Sequence, residues 1–242
     1  MAFTLSLLAG LSTLIGTLYV ILIKKENDNT IISALAFSAS IIFFVSIIDL
    51  IPEGINFIKN NNTKEMTMIL AFIFILIGVL ISYALDKILP EENNKLHKIS
   101  ILSIITIILH NIPEGIATYI TAKTNTNLGV SLAIAIALHN IPEGIIISLP
   151  VYYSTKSKRK AFLYTMIAAL SEPLGALLAF LFLQRIITVE KLGYIYFIIA
   201  GIMIYLSIFE LLKASISYKK KKVTILSLFI GFLIFMIGFI LF

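Results

Sequence analysis

The sequence predicts an all-α integral membrane protein of eight transmembrane helices, and three observations lead there. The mean hydropathy is +1.02 and 59% of the 242 residues are hydrophobic, a balance that excludes a soluble globular domain. The apolar residues gather into eight runs, each meeting the roughly 20 residues that a spanning helix needs. Within those runs the apolar character is continuous rather than alternating, which excludes a membrane β-barrel. The chain has no cysteine, so disulfides and thiolate metal sites are also excluded.

In chain order the runs are 2–23, 31–57, 66–88, 99–121, 128–150, 160–184, 193–214 and 223–242, taken as helices 1 to 8. The first opens Met1-Ala2-Phe3-Thr4, without the basic n-region of a cleavable signal peptide, and is expected to be a retained helix. The connections are short and polar: 24–29, 59–62, 90–98, 123–127, 156–160 and 219–222. None could fold alone, so residues 1–242 are expected to form a single transmembrane domain.

Orientation follows from the basic residues. Lys24, Lys25, Lys87, Lys95, Lys98, Lys156, Lys158, Arg159, Lys160, Lys213 and Lys219 to Lys222 lie on one side. Lys59, Lys64, Lys123, Arg185 and Lys191 lie on the other. The division is 14 against 5, accounting for all 19 basic residues. The richer side is expected to face the cytoplasm, which puts both termini outside. The net charge of +6 is therefore a matter of loops, and no nucleic-acid partner is implied.

One stretch is written twice. Leu109-His110-Asn111-Ile112-Pro113-Glu114-Gly115-Ile116 recurs as Leu138-His139-Asn140-Ile141-Pro142-Glu143-Gly144-Ile145, on helices 4 and 5, which run in opposite directions. A weaker echo joins Ser46-Ile47-Ile48-Asp49-Leu50 on helix 2 to Ser207-Ile208-Phe209-Glu210-Leu211 on helix 7, also antiparallel. At five residues, chance is a rival explanation for that second match. Matching segments on inverted helices are the mark of transporters with a pseudo-two-fold axis in the membrane plane and a midplane site.

The repeated residues carry chemistry. His110 and Glu114 are four apart, as are His139 and Glu143, so each pair shares a helix face. Pro113 and Pro142 lack an N–H and free the carbonyls of Leu109 and Leu138. Glu172-Pro173 repeats the arrangement on helix 6 and frees Ala169, so three helices are expected to open at one depth. The ligand inventory is His110, His139, Glu114, Glu143, Glu172, Asn111 and Asn140. Such mixed nitrogen and oxygen ligation fits Zn²⁺, Fe²⁺, Mn²⁺, Co²⁺ or Cd²⁺ and exceeds what one tetrahedral zinc requires. No Lys or Arg occurs at 99–120, 128–153 or 161–184. The three carboxylates therefore either hold a cation or carry protons, with binding of one displacing the other.

The plainer readings concern single residues. A lone His or Asn in a membrane helix is often interhelical hydrogen-bonding glue, but a duplicated set with a third glutamate is not explained that way. Asp49 and Glu53, near the outer end of helix 2, are either helix-end charges or a cation-collecting entrance path. Ser46 and Ser207 read as packing residues. Asp86 reads as loop-side with Lys87 as its neighbour, and His97 as a solvated loop residue.

His-Asn-x-Pro-Glu-Gly on helices 4 and 5, with Ser171-Glu172-Pro173-x-Gly175 on helix 6, resembles the ZIP (Zrt/Irt-like) metal-transporter family. The doubled motif is similar to its ZupT-like prokaryotic zinc-uptake branch, and the likeness extends to Asp49-Leu50-Ile51-Pro52-Glu53 and Ser207-x-x-Glu210-Leu211. The resemblance implies a 3+2+3 arrangement in which helices 1–3 and 6–8 are inverted relatives around a central 4–5 pair. It implies a binuclear metal centre, with Asn111, Glu114, Asn140, Glu143 and Glu172 at one position. Glu114, His139, Glu143 and His110 would form the other, and Glu114 and Glu143 would bridge the two. It further implies inward movement of divalent metal as transported substrate, alternating access by a rigid-body motion, a homodimer in the lipid bilayer, and no organic cofactor. Two departures stand out. The loop between helices 3 and 4 holds only His97, and Asp49 stands where that branch more often has glutamate. An intramembrane zinc hydrolase is the rival from another class, but the spacing is not His-Glu-x-x-His and no nucleophile stands out. A structural or proton-conducting bundle is the third reading.

Overall fold

The computed structural model describes residues 1–22, 27–89, 95–182 and 189–241. Eight of its helices are long and apolar enough to cross a membrane, and no strand occurs among the described residues. They are α1 (Ala2–Leu22), α2 (Asp28–Ile58), α3 (Lys64–Ile88), α4 (Leu96–Thr124), α5 (Thr126–Thr155), α6 (Lys158–Leu181), α7 (Glu190–Ser217) and α8 (Lys221–Ile240). Each corresponds to one predicted run. Lys24, Lys25 and Arg185 of the charge division, and residues 90–94 of the loop before α4, lie outside the described residues.

Several helices extend beyond their apolar runs because polar side chains close their first turns. Asn27 accepts the Asn29 N–H at 2.9 Å ahead of α2, and Thr63 accepts the Met66 N–H at 3.3 Å ahead of α3. Asn125 accepts from Asn127 and Leu128 ahead of α5, and Ser157 from Lys160 ahead of α6. Each cap satisfies N–H groups that a helix start leaves without partners. The capped α5 reaches 30 residues, roughly 45 Å at 1.5 Å per residue. The early start of α4 also places His97 in a helical turn rather than in a loop.

Three helices are not regular throughout. α2 passes through a π-helical turn at Val45–Leu50 and α7 through another at Leu206–Leu212. These are the two segments that carry the five-residue echo. Such turns widen the backbone locally and recur at functional sites. The third irregularity is a break in α6 at Leu170, between Lys158–Ala169 and Ser171–Leu181.

The helices sort into two sets by what they pack against. α1, α4, α5 and α6 lie on one another, and α2, α3, α7 and α8 form the second set; the sets meet mainly where α2 crosses α5 and α4 crosses α7. Glycine contacts follow the same division. Gly144 abuts the Thr13 carbonyl, Gly115 that of Glu172, Gly78 that of Ile198 and Gly231 that of Phe37. Of the twelve glycines, eleven have a neighbour in reach, and in each case that neighbour belongs to the glycine's own set. Backbones that touch through glycine give the close helix packing typical of membranes. The seam between the sets is instead built from side chains. Toward the lysine-rich end it is filled by one apolar cluster that includes Leu35, Ile42, Leu102, Ile107, Met203 and Leu206.

α3 and α8 are the outlying helices. Only 17% of each spanning window is buried, against 44–67% for the other six. Exposed Phe72, Leu76 and Leu80 on α3, and Phe229, Leu233 and Ile237 on α8, suit a hydrocarbon surround.

A Cβ placed on Gly78 would overlap the Ile198 carbonyl oxygen, whereas Gly238 has open space around it. Gly78→Ala is expected to destabilise the detergent-purified protein by about 1–3 kcal/mol, read as a lowered thermal midpoint. Gly238→Ala is expected to leave that midpoint unchanged or slightly raised.

Candidate metal centre

α4 and α5 bring the two copies of the repeated motif face to face. His110 Nε2 lies 3.1 Å from Glu143 Oε1 and 3.4 Å from Glu114 Oε2. His139 Nε2 lies 3.2 Å from Glu114 Oε1 and 3.5 Å from its Oε2, and the imidazole centroids are 5.9 Å apart. Ligand atoms of His110, Glu114 and His139 all fall within 4.8 Å of one another. Each glutamate therefore reaches across to the histidine of the other copy. That crossing requires antiparallel helices with the motifs at one level, which the inverted repeat provides.

Only the His139–Glu114 approach is aligned as a hydrogen bond. The 3.1 Å separation of His110 and Glu143 is not aligned as a hydrogen bond, and both Glu143 oxygens and both His110 nitrogens lack any such partner. Donor atoms around a tetrahedral ion with bonds near 2.0–2.1 Å stand about 3.3 Å apart. The nitrogen–oxygen separations of 3.1–3.5 Å bracket that value. No lysine or arginine makes an ion pair with any of these groups among the described residues.

α6 and α1 complete the surround. Asn140 Nδ2 donates to Glu172 Oε2 at 2.9 Å and to the Ala9 carbonyl at 3.0 Å. Asn111 Nδ2 donates to the Ala168 carbonyl at 3.3 Å. With their amino groups so anchored, Asn111 Oδ1, Asn140 Oδ1 and Glu172 Oε1 are left buried and unpartnered. Three acceptor oxygens without donors are costly in a protein interior, and a cation relieves that cost. His110, Asn111, Glu114, Asn140, Glu143 and Glu172 are each at most 2% exposed, and His139 is 8% exposed.

The prolines differ from expectation. The sequence reading opens three helices; the structure opens only α6. α4 and α5 continue as helices through Pro113 and Pro142, each losing a single N–H donor while the flanking turns persist. In α6 the helix ends at Leu170 and restarts at Ser171, so Pro173 falls in a first turn where no N–H is needed. Glu172 thereby gains the N-terminal end of a helix dipole, a favourable place for a carboxylate. The Ser171 hydroxyl donates to the Ala168 carbonyl at 2.5 Å and steadies the break.

The two expected entrance residues separate. Asp49, on the π-helical turn of α2, lines a cavity of about 600 Å³ with Ala135, Leu138 and His139 of α5 and the Ile234–Phe239 end of α8. Glu53 does not line it. Through this cavity His139 is the one candidate ligand with appreciable exposure.

Two features were not visible in the sequence. α1 supplies the Ala9 carbonyl to Asn140 and the Ser6 hydroxyl to the Glu172 carbonyl at 3.2 Å. Its signal was the spacing of small residues at Ser6, Ala9, Gly10, Thr13, Gly16 and Thr17. Asp86 is not a loop residue beside Lys87. It pairs with Lys98 of α4 at 2.8 Å and accepts the Tyr205 hydroxyl at 3.2 Å. A pairing between helices 3 and 4 leaves no local sequence signal.

Eight helices able to span a membrane, around a buried His/Glu/Asn cluster with no lysine or arginine paired to it, fit the class of multi-pass membrane transporters for cations. Residues 90–241 match the profile of ZIP zinc transporters. The chain is 36% identical to the zinc transporter ZupT of Streptococcus mutans, over 100% of this chain and 97% of the relative. It is 33% identical to that of Chlorobium chlorochromatii, over 100% and 97%, and 33% identical to that of Clostridium perfringens, over 100% and 96%. The chain belongs to the ZIP zinc transporter family. Members of that family are transporters and not enzymes, which removes the hydrolase alternative.

Zinc present at about a hundred times its Kd is expected to stabilise the folded protein by about 2.7 kcal/mol, seen as a raised thermal midpoint. Glu114→Gln, which weakens the group that both histidines approach, is expected to lose most of that shift, whereas Asp49→Asn retains it.

Proposed function

We propose that this chain carries Zn²⁺ across the cell membrane into the cytoplasm. One observation carries the reading: His110, Glu114 and His139 offer ligand atoms within 4.8 Å of one another, with Glu143 3.1 Å from His110, all buried where no lysine or arginine pairs with them among the described residues. The names of its relatives support zinc as the substrate. The same ligands accept Fe²⁺, Mn²⁺, Co²⁺ and Cd²⁺ with little discrimination, and no organic cofactor takes part.

The finer reading is a binuclear centre. His110, His139, Glu114 and Glu143 hold one ion, while Asn111, Asn140 and Glu172 with the same two glutamates hold the second, so Glu114 and Glu143 bridge. Support comes from the distribution of groups. The histidines cluster with Glu114 and Glu143, while Asn140 bonds to Glu172 through its amino group and both asparagine carbonyl oxygens are buried without a partner.

Alternating access follows from the two helix sets. All seven ligands lie on α4, α5 and α6, which move with α1 as one rigid body carrying the ion past α2, α3, α7 and α8. The glycine contacts confined within each set, and the side-chain seam between them, support that division. Matching π-helical turns in α2 and α7 support the 3+2+3 inverted repeat. In this reading residues 1–242 work as one domain with both termini outside, and the family resemblance supports a homodimer.

In reconstituted vesicles zinc uptake is expected, and His139→Ala or Glu143→Ala is expected to reduce it by about 10- to 100-fold or more. Uptake at native rates in either variant would count against the reading. Elemental analysis of zinc-loaded protein is expected to give two ions per chain, falling to one in Glu172→Gln; one ion in both would remove the bridged pair. Acidification is expected to weaken binding, because ligands must lose protons to hold the metal.

A further inference from the structure

Two of the cavities on the seam between the helix sets lie toward opposite ends of the bundle. The first reaches His139 past Asp49. The second, of about 560 Å³, lies toward the lysine-rich end between α3, α4 and α7, and its walls include Asp86, Leu96, Ile99 and Glu210. Asp49 and Glu210 sit on the two π-helical turns. The cavities differ in charge: no lysine or arginine lines the first, whereas Lys98 and Lys213 line the second, and Lys98 pairs with Asp86 across the seam at 2.8 Å.

α4 connects the centre to the second cavity. Counting back from His110, Thr106 and Ser103 fall on the same helix face, and Ile99 and Leu96 continue it into the cavity wall. Both hydroxyls are buried, at 1% and 0% exposure, and neither has a hydrogen-bond partner. Some buried hydroxyls return to their own helix, as Ser148 does to the Gly144 carbonyl at 2.6 Å and Thr165 to Ala161 at 2.9 Å, while Thr13, Thr17, Thr67, Ser82 and Thr118 share the unpartnered state. Thr106 and Ser103 differ from these in lying between the centre and a cavity on one face of α4. Leu102 and Ile107 pack closely around the stretch, so it is shut in this conformation.

We propose that this face of α4 is the release route, with Thr106 and Ser103 as neutral oxygen relays and the Lys98–Asp86 pair as the plug at its mouth. The inference rests on the transporter reading and extends it. A hydroxyl oxygen can pass a divalent cation on without retaining it, which suits a step after two tightly ligating glutamates. Lys98 belongs to the ligand-bearing set and Asp86 to the other, so motion of one set past the other separates the pair. While the pair is formed, a tethered ammonium occupies the place of a returning ion, and the Tyr205 hydroxyl holds Asp86 toward it.

The absence of cysteine from the chain permits a direct test. Ser103→Cys in sealed vesicles is treated from each face in turn with a membrane-impermeant cationic methanethiosulfonate. Modification is expected from the lysine-rich face only, about fivefold faster when Asp86→Asn is added. The exchange Lys98→Asp with Asp86→Lys is expected to restore the slow rate. Thr106→Val is expected to slow zinc uptake by about tenfold while leaving zinc bound per chain unchanged at equilibrium. Modification from the opposite face, equal rates with and without Asp86→Asn, or native uptake by Thr106→Val would overturn the proposal. If Ser103→Cys does not fold, Thr106→Cys serves the same assay. A native chain that takes up no zinc overturns the transporter reading and this route together, whereas native uptake with an unreactive Ser103→Cys overturns the route alone.

Discussion

Carboxylates buried beyond the reach of any lysine or arginine, with only imidazoles beside them, are the constraint on which this structure depends. Glu114, Glu143 and Glu172 lie inside a bundle whose central stretches contain no lysine or arginine. The desolvation cost of three carboxylates is too large to leave unanswered in a low-dielectric interior. The surrounding architecture makes sense as the answer to that cost. Antiparallel α4 and α5 bring imidazoles to the carboxylates, the broken α6 gives Glu172 a helix start, and α1 anchors the Asn140 amide through the Ala9 carbonyl.

Much of this was legible in the residues themselves, for a physical reason. A polar group in a membrane helix is so costly that each one present advertises a use. His110, His139 and their glutamates could be read from single letters, and their duplication on inverted helices told where they would meet. The eight spans were readable because hydrocarbon imposes length and composition together. What escaped was what hydrophobicity does not record. The Asp86–Lys98 pair depends on which helices become neighbours. The contribution of α1 is a backbone carbonyl, which every residue possesses. The persistence of α4 through Pro113, against the break before Pro173, depends on tertiary support that the proline alone does not specify.

The weak echo between α2 and α7 illustrates how structure can strengthen a marginal sequence signal. Five matched positions could arise by accident, but two π-helical turns at those positions share a backbone form that is rare. Each turn also presents its carboxylate, Asp49 or Glu210, to a cavity on the seam between the helix sets. The resemblance therefore extends from letters to geometry to placement.

The outlying positions of α3 and α8 have a mechanical consequence. Both belong to the set that carries none of the candidate ligands, and both leave most of their apolar surface uncovered by the rest of the chain. In a bilayer, uncovered apolar faces of this kind would couple that frame to the hydrocarbon more strongly than the set with the His/Glu/Asn cluster. A thicker or thinner hydrocarbon layer would tilt or strain the frame first, and lipid composition becomes a lever on turnover that leaves the chemistry of ion capture untouched.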